Sequence, residues 1–267
     1  MTLHAQDATL RRVLLSLCLI LYEFWFINQP ITSQAMKTFF LITHIAFGFL
    51  ALGVGIIPML SKKGNTLHNR TGLVYYWSMV IVAFSSLGLV LVSPFTDGRL
   101  FLTGIAVFSF YMCFTGKRAL QQRGSEPVRW YDWAISSVMG AASLIMMFYG
   151  LYFVQRSFQT GQFSSMSILF LAFGFFSGTN ALYDIRKYLA PEKAKYGAKE
   201  WFFIHIERMG GSYIATFTAF ALVNIRYIFP EAPQAVYIAT WIMPGLIGGL
   251  FIGRAVRKYA TKFHLAV

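Results

Sequence analysis

Charged residues are scarce in this chain of 267 amino acids, of which Asp, Glu, Lys and Arg make up only 12%. Soluble domains carry about 25% charged residues, so this sequence has too few of them to cover a water-facing surface. Hydrophobic residues make up 57% of the chain and lie in long runs. The sequence therefore predicts a polytopic helical membrane protein, with the lipid bilayer as its surroundings.

Cysteines and catalytic signature motifs are also few. Cys18 and Cys113 both lie in apolar runs, so neither a disulfide framework nor a CxxC site is indicated. The GxSxG, P-loop and HExxH patterns are missing, which removes the usual signals for the enzymes that they mark. The net charge of +13 does not indicate nucleic acid as a partner, because the basic residues lie in short loops rather than on a soluble basic face.

Eight apolar runs approach the length needed to cross a bilayer, about 20 residues, although the first and the fourth are shorter. They cover residues 13–28, 37–61, 71–93, 99–116, 133–155, 164–185, 201–226 and 236–255. We therefore predict an all-α bundle of about eight transmembrane helices that forms a single domain over residues 1–267.

The loops between these runs differ sharply in charge. Basic residues concentrated on one side of a membrane mark its cytoplasmic side, which predicts cytoplasmic termini and a bacterial inner membrane. Four of the 23 Lys and Arg residues fall on the opposite side (Lys37, Arg99, Arg156 and Arg226), and Arg208 lies within a run. The other eighteen fall on the predicted cytoplasmic side: Arg11, Arg12, Lys62, Lys63, Arg70, Lys117, Arg118, Arg123, Arg129, Arg186, Lys187, Lys193, Lys195, Lys199, Arg254, Arg257, Lys258 and Lys262.

The first run allows two interpretations. Arg11 and Arg12, the apolar stretch and the small residues near Ser33 resemble a signal peptide with a cleavage site. Glu23 interrupts the apolar stretch, and the small residues lie well beyond it. An uncleaved first helix is therefore the favoured prediction.

Several polar residues share one predicted depth near the cytoplasmic side. At 1.5 Å per residue, His205 and Asp184 fall about 12–13 Å from the midpoints of their runs, with Tyr75 and Tyr76 at about 9–11 Å. His68 lies just below these tyrosines, and Asn180 and Arg208 belong to the same layer. Ionisable groups at membrane depth are costly, so they usually face a cavity or a partner.

Three interpretations of this layer remain open. His68, His205 and Asp184 could bind a metal ion, because two imidazoles and a carboxylate suit zinc or iron. Alternatively the layer is a buried polar network in which Asp184 neutralises Arg208, or it lines a transport or ligand cavity. His44 lies on the opposite side of its run's midpoint, separated from His205 by about 20 Å, so a haem held by these two histidines is disfavoured. We expect His44 to hydrogen-bond a neighbouring helix or to line a vestibule.

Three groups of residues resemble the pattern of the DUF2306 family of uncharacterised bacterial multi-pass membrane proteins. The resemblance rests on His44 with Gly48, on the segment His68-Asn69-Arg70-Thr71-Gly72 with Tyr75 or Tyr76, and on His205, Arg208, Met209 and Ser212. Asn69 interrupts the adjacent His-Arg pair of the family pattern. The resemblance covers roughly residues 40–225 and implies an integral membrane protein, without an activity.

Three functions are compatible with the sequence. The first is a metal- or redox-dependent membrane protein with His68, Asp184 and His205 as its site. The second is a small-solute or proton-coupled transporter in which Asp184 and His205 titrate. The third is a structural or assembly partner without chemistry of its own.

Overall fold

The computed structural model describes residues 31–124, 126–190 and 196–265. This part of the chain is all-helical and contains no strand. Two short 3₁₀ turns, Gln122–Gly124 and Gly197–Lys199, accompany seven α-helices. These are α1 (Ile31–Leu60), α2 (Thr66–Leu91), α3 (Asp97–Gln121), α4 (Trp130–Thr160), α5 (Ser165–Leu189), α6 (Glu200–Ile228) and α7 (Gln234–Lys262).

Six of these helices are long and apolar enough to cross a membrane. They are all of the described helices except α6, which carries Glu200, Glu207 and Arg208 within its first three turns. Large apolar side chains are exposed along the outside of the bundle, where lipid would contact them. The protein is therefore a multi-pass membrane protein with its apolar helices in contact with lipid.

The seven described helices correspond to seven of the eight apolar runs. The run at residues 13–28, with its signal-peptide alternative, lies outside the described residues. The helices extend beyond the runs, as α3 (Asp97–Gln121) does for the run 99–116, because polar residues continue the helix past its apolar part. The count of eight helices and the location of the termini stay predictions.

The α3 and α6 helices form the centre of the bundle. α3 packs against α2, α4, α5 and α6, whereas α6 packs against α1, α3 and α7. Glycines allow the two central helices to approach closely: a Cβ at Gly116 would lie 3.0 Å from Cβ of Arg208, and one at Gly211 would lie 2.3 Å from Cε of Met112. Small residues at helix contacts serve this purpose in membrane proteins.

Polar side chains gather at one end of the bundle. At this end α1, α3, α5 and α7 finish and α2, α4 and α6 begin, and hydrogen bonds such as Lys187 Nζ to Oε1 of Gln122 (2.9 Å) connect them. We call it the basic end, because the basic residues of the loops cluster there. Aromatic residues fill much of the interior toward the opposite end, with Phe101 packed on Phe170 and Trp241.

Candidate functional site: two neighbouring histidines at the basic end

His205, in the second turn of α6, is anchored to the central helix α3. Its Nδ1 lies 2.8 Å from the carbonyl oxygen of Gly116. A carbonyl oxygen has no proton to give, so Nδ1 must be the donor. In the neutral ring Nε2 then carries the free lone pair, which makes it available to a ligand.

His68, in the first turn of α2, is held in the same way. The side chain of Asn65 caps α2 by accepting a hydrogen bond from the His68 backbone N–H at 2.7 Å, which places the ring near the end of α1. Its Nδ1 donates to the carbonyl oxygen of Pro58 at 2.9 Å. His68 therefore also presents Nε2 as its free acceptor.

The two imidazole rings are neighbours in an edge-to-face arrangement. Their centroids are 6.3 Å apart and the ring planes cross at 69°. Both rings are half-buried. A histidine that binds a metal commonly donates its other ring N–H to a backbone carbonyl or a carboxylate, which fixes the orientation of the ring. Both histidines have this arrangement, because the Nδ1 of each ring donates to a backbone carbonyl.

The carbonyl of Pro58 is free for this bond because α1 ends two residues later, at Leu60. The last carbonyls of a helix lack an N–H partner within the helix. Lys63 also donates hydrogen bonds to the last carbonyls of α1, because its Nζ lies 2.8 Å from the carbonyl oxygen of Pro58 and 2.9 Å from that of Met59. Partial burial lowers the pKa of Lys63, because desolvation disfavours the charged amine.

Arg208 forms the centre of a second group, one turn beyond His205 on α6. Its Nη2 donates to Oδ1 of Asp184 at 2.8 Å, and both side chains are almost fully buried. The Tyr111 hydroxyl donates to Oδ2 of the same carboxylate, and the Arg208 guanidinium lies over the Tyr111 ring, 4.9 Å from its centroid. The backbone carbonyl oxygen of Asn180 accepts from Nη2 of Arg208 (3.3 Å) and lies 2.9 Å from the Tyr111 hydroxyl oxygen.

This second group is a complete network that ties α3, α5 and α6 together. The described residues include no buried side-chain nitrogen or oxygen without a hydrogen-bond partner. A buried ion pair with all its hydrogen bonds formed holds its helices in position, because losing either partner would leave the other charge uncompensated. The ion pair between Asp184 and Arg208 is the one expected from the network interpretation of the sequence.

The predicted set of three metal ligands does not come together. Asp184 is bonded to Arg208 and Tyr111, whereas the two histidines are neighbours of each other. Within the described ranges, no group of three or more His, Cys, Asp or Glu side chains is placed to hold a metal ion. The prediction rested on depth in the membrane, and depth does not determine the direction in which the Asp184 side chain points around its helix.

Tyr75, Tyr76 and Asn180, the other residues of the predicted layer, lie near the two groups without joining the histidine pair. The hydroxyl of Tyr75 lies 2.9 Å from Oγ of Ser212, which itself donates to the carbonyl of Ser109 at 3.2 Å. Tyr76 packs against the cluster formed by Tyr75 and neighbouring apolar residues. The side chain of Asn180 donates back to the carbonyl of Phe176 at 2.8 Å.

His44 is in the other half of the bundle. Its Nδ1 lies 3.2 Å from the carbonyl oxygen of Val82 and 3.3 Å from Oγ of Ser85, both on α2. This is the hydrogen bond to a neighbouring helix that the sequence predicts. Val82 lies fourteen residues beyond His68 on α2, about 21 Å along the helix axis. Consequently, His44 cannot share a ligand with the histidine pair.

By sequence Arg118 is one of the basic residues that indicate the cytoplasmic side, but in the structure it connects two helices. Its guanidinium is buried and donates to Asp132 (3.0 Å), to Glu126 (2.5 Å) and to the carbonyl of Pro127 (3.0 Å). These bonds fasten the end of α3 to the start of α4. The available clue was Asp132, fourteen residues further along the chain, because a buried arginine requires an acidic partner nearby.

Comparison with known proteins adds no relative: no family model, no curated protein and no solved structure matches this chain. The function has to be argued from the geometry of the histidine pair and of the network beside it.

Proposed function

We propose that this protein is a metal-binding membrane protein whose site is the pair of His68 and His205. The observation that carries the proposal is the matched anchoring of the two rings. Each ring is fixed through Nδ1 by a backbone carbonyl, and the ring centroids are 6.3 Å apart. Imidazole is a good ligand for zinc, copper, iron and nickel.

The separation of the rings is compatible with one shared ion. A metal bound to an imidazole nitrogen at about 2.0–2.1 Å lies about 3.2 Å from the ring centroid, so two rings on opposite sides of an ion are up to ~6.4 Å apart. The observed 6.3 Å is close to that limit. An ion shared at this separation would have the two histidines on nearly opposite sides rather than at a narrow angle.

Two protein ligands leave positions open for water or for an external ligand. An ion with open positions polarises what binds there, and copper or iron can also exchange electrons. Arg208, Asp184 and Tyr111 hold α6 against α3 and α5, and so keep His205 in place beside Gly116. Asp184 has this positioning role in the proposal and is not a ligand.

The proposal also covers the membrane in which the protein lies, its orientation and its family. We place the protein in a bacterial cytoplasmic membrane with both termini and the basic end on the cytoplasmic side, which the excess of basic residues at that end supports. We also propose membership of the DUF2306 family. His68 and His205, two of the residues that carry that resemblance, are distant in sequence and adjacent in the fold.

Elemental analysis of the detergent-purified protein tests the site. The wild-type protein is compared with His205→Ala and with His44→Ala, which removes a histidine from the other half of the bundle. We expect one first-row transition metal near stoichiometry in the wild type and in His44→Ala, and its loss in His205→Ala. Stoichiometric iron with a haem absorption spectrum would identify haem as the group bound.

Metal missing from all three samples after expression in metal-supplemented medium would overturn the proposal. So would metal that persists in His205→Ala and disappears in His44→Ala. In the first case the histidine pair is part of the polar network, and uptake assays and searches for protein partners become the next measurements.

A further inference from the structure

The last three turns of α7 carry four exposed cations on one face. These are Arg254, Arg257, Lys258 and Lys262, and α7 contains no Asp or Glu. The opposite face of the same segment is buried, since Val256 and Ala260 pack against Tyr196 and Phe203. The segment is therefore fixed in the bundle with its cations pointing outward.

The face that carries the cations is continuous with a lipid-facing apolar face. One to three turns earlier, Leu246, Ile247, Leu250 and Phe251 are exposed on α7. At 100° per residue these side chains and the four cations lie along one side of the helix. In a membrane this stripe passes from the hydrocarbon to the headgroup region, because α7 is long and apolar enough to span it.

Among the residues that the structure describes, no acidic side chain pairs with the four cations on α7, whereas other basic side chains of the basic end have partners. The ion pairs among the described residues use Arg118 and Arg208. Lys63 is bonded to carbonyls at the end of α1, and Lys187 is bonded to Gln122. Arg254 contacts a ring of its own helix, that of Phe251, at 5.9 Å. Four positive charges at headgroup depth thus face outward together.

We infer that this face of α7 is a binding site for an anionic phospholipid. The phosphates of the lipid contact Arg254, Arg257, Lys258 and Lys262, and its acyl chains contact Leu246, Ile247, Leu250 and Phe251. Basic side chains at the membrane surface attract anionic lipids, and this attraction falls within a Debye length. The residues of this site are distinct from the histidine pair, which consists of His68 on α2 and His205 on α6 beside Gly116 of α3.

Spin-labelled lipids measure this preference directly. The protein is reconstituted in phosphatidylcholine bilayers with a trace of spin-labelled phosphatidylglycerol or phosphatidylcholine, and electron paramagnetic resonance gives the association of each. We expect wild-type protein to favour phosphatidylglycerol by on the order of fivefold at low salt. Replacing the four α7 cations by Gln should bring this ratio close to one. In wild-type protein, 1 M salt should have the same effect.

A second variant separates a specific site from overall charge. Replacing Lys62, Arg70, Arg123 and Arg186 by Gln removes the same charge from exposed positions on other elements of the same end. This variant should keep most of the preference. An equal loss in both variants, or a wild-type ratio near one, would overturn the inference. Gel filtration establishes that each variant is folded, and the salt titration tests the inference without any substitution.

Discussion

The Nδ1 nitrogen of His205 donates a hydrogen bond to the carbonyl oxygen of Gly116, 2.8 Å away across the contact between α6 and α3. The bond depends on the absence of a side chain at Gly116, where a Cβ would lie 3.0 Å from Cβ of Arg208 and from Cγ of Met209. One close approach therefore fixes the histidine and brings α6 near enough for Arg208 to reach Asp184. The positions of the histidine pair and of the ion-pair network therefore depend on the same contact between α3 and α6.

His205→Asn should separate the two roles of His205, which are the hydrogen bond to Gly116 and the proposed binding of metal through Nε2. The amide nitrogen of Asn can replace Nδ1 as donor to Gly116, but nothing replaces Nε2. We expect His205→Asn to lose the bound metal while its unfolding free energy stays within about 0.5 kcal/mol of the wild type. His205→Ala should lose the metal and about 1 kcal/mol as well. Metal content and unfolding in detergent are the measurements, and an Asn variant that retains stoichiometric metal contradicts the assignment of Nε2 as ligand.

Substitution at Gly116 tests the close approach itself. Gly116→Ala forces Arg208 and Met209 to move, and overpacking of this kind costs about 1–3 kcal/mol. Gly98 lies on the same helix with no atom within 4 Å of a Cβ built there, so Gly98→Ala is the matched control. That control should be neutral or up to about 1 kcal/mol more stable, because Ala favours helix over Gly. Equal stability of the two variants would mean that α3 and α6 do not touch as described.

The helices of the basic end could be anticipated from the sequence, because apolar length and charge placement act along the chain. The expected pairing of Asp184 with Arg208 follows from the cost of burying either charge alone. The partner of His205 is a backbone carbonyl, which every residue has, so no sequence pattern could single out Gly116. Depth placed Asp184 beside the histidines, but the direction in which a side chain points around its helix depends on packing.

Removing the charge of Asp184 should be strongly destabilising. Asp184→Asn leaves the buried guanidinium of Arg208 without its counterion, for which a loss of about 3–5 kcal/mol is typical. Combining Asp184→Leu with Arg208→Met should recover most of that loss, since an apolar pair needs no counterion. Unfolding in detergent measures both, with Asp97→Asn as an exposed control. If Asp184→Asn unfolds like the wild type, the ion pair is not a buried structural contact.

Arg118 offers a comparison between a buried and an exposed partner of one guanidinium. Asp132 is nearly fully buried, whereas the side chain of Glu126 is 49% exposed. Asp132→Asn should therefore cost about 2–3 kcal/mol of unfolding free energy, and Glu126→Gln less than about 1 kcal/mol. Arg118→Lys should resemble Asp132→Asn, because an ammonium cannot reproduce the forked contact with the carboxylate. A larger effect at Glu126 than at Asp132 would reverse the assignment of the main anchor.

The orientation of the bundle is open to a direct test with reporter fusions. By sequence, eighteen of the 23 Lys and Arg residues fall on the predicted cytoplasmic side, so the basic end should face the cytoplasm. Green fluorescent protein fused after Val267 should fluoresce, and alkaline phosphatase fused there should be inactive. The same two reporters inserted after Thr96, between α2 and α3, should give the opposite result. Phosphatase activity after Val267 would invert the topology and place the histidine pair and the cationic face of α7 on the periplasmic side.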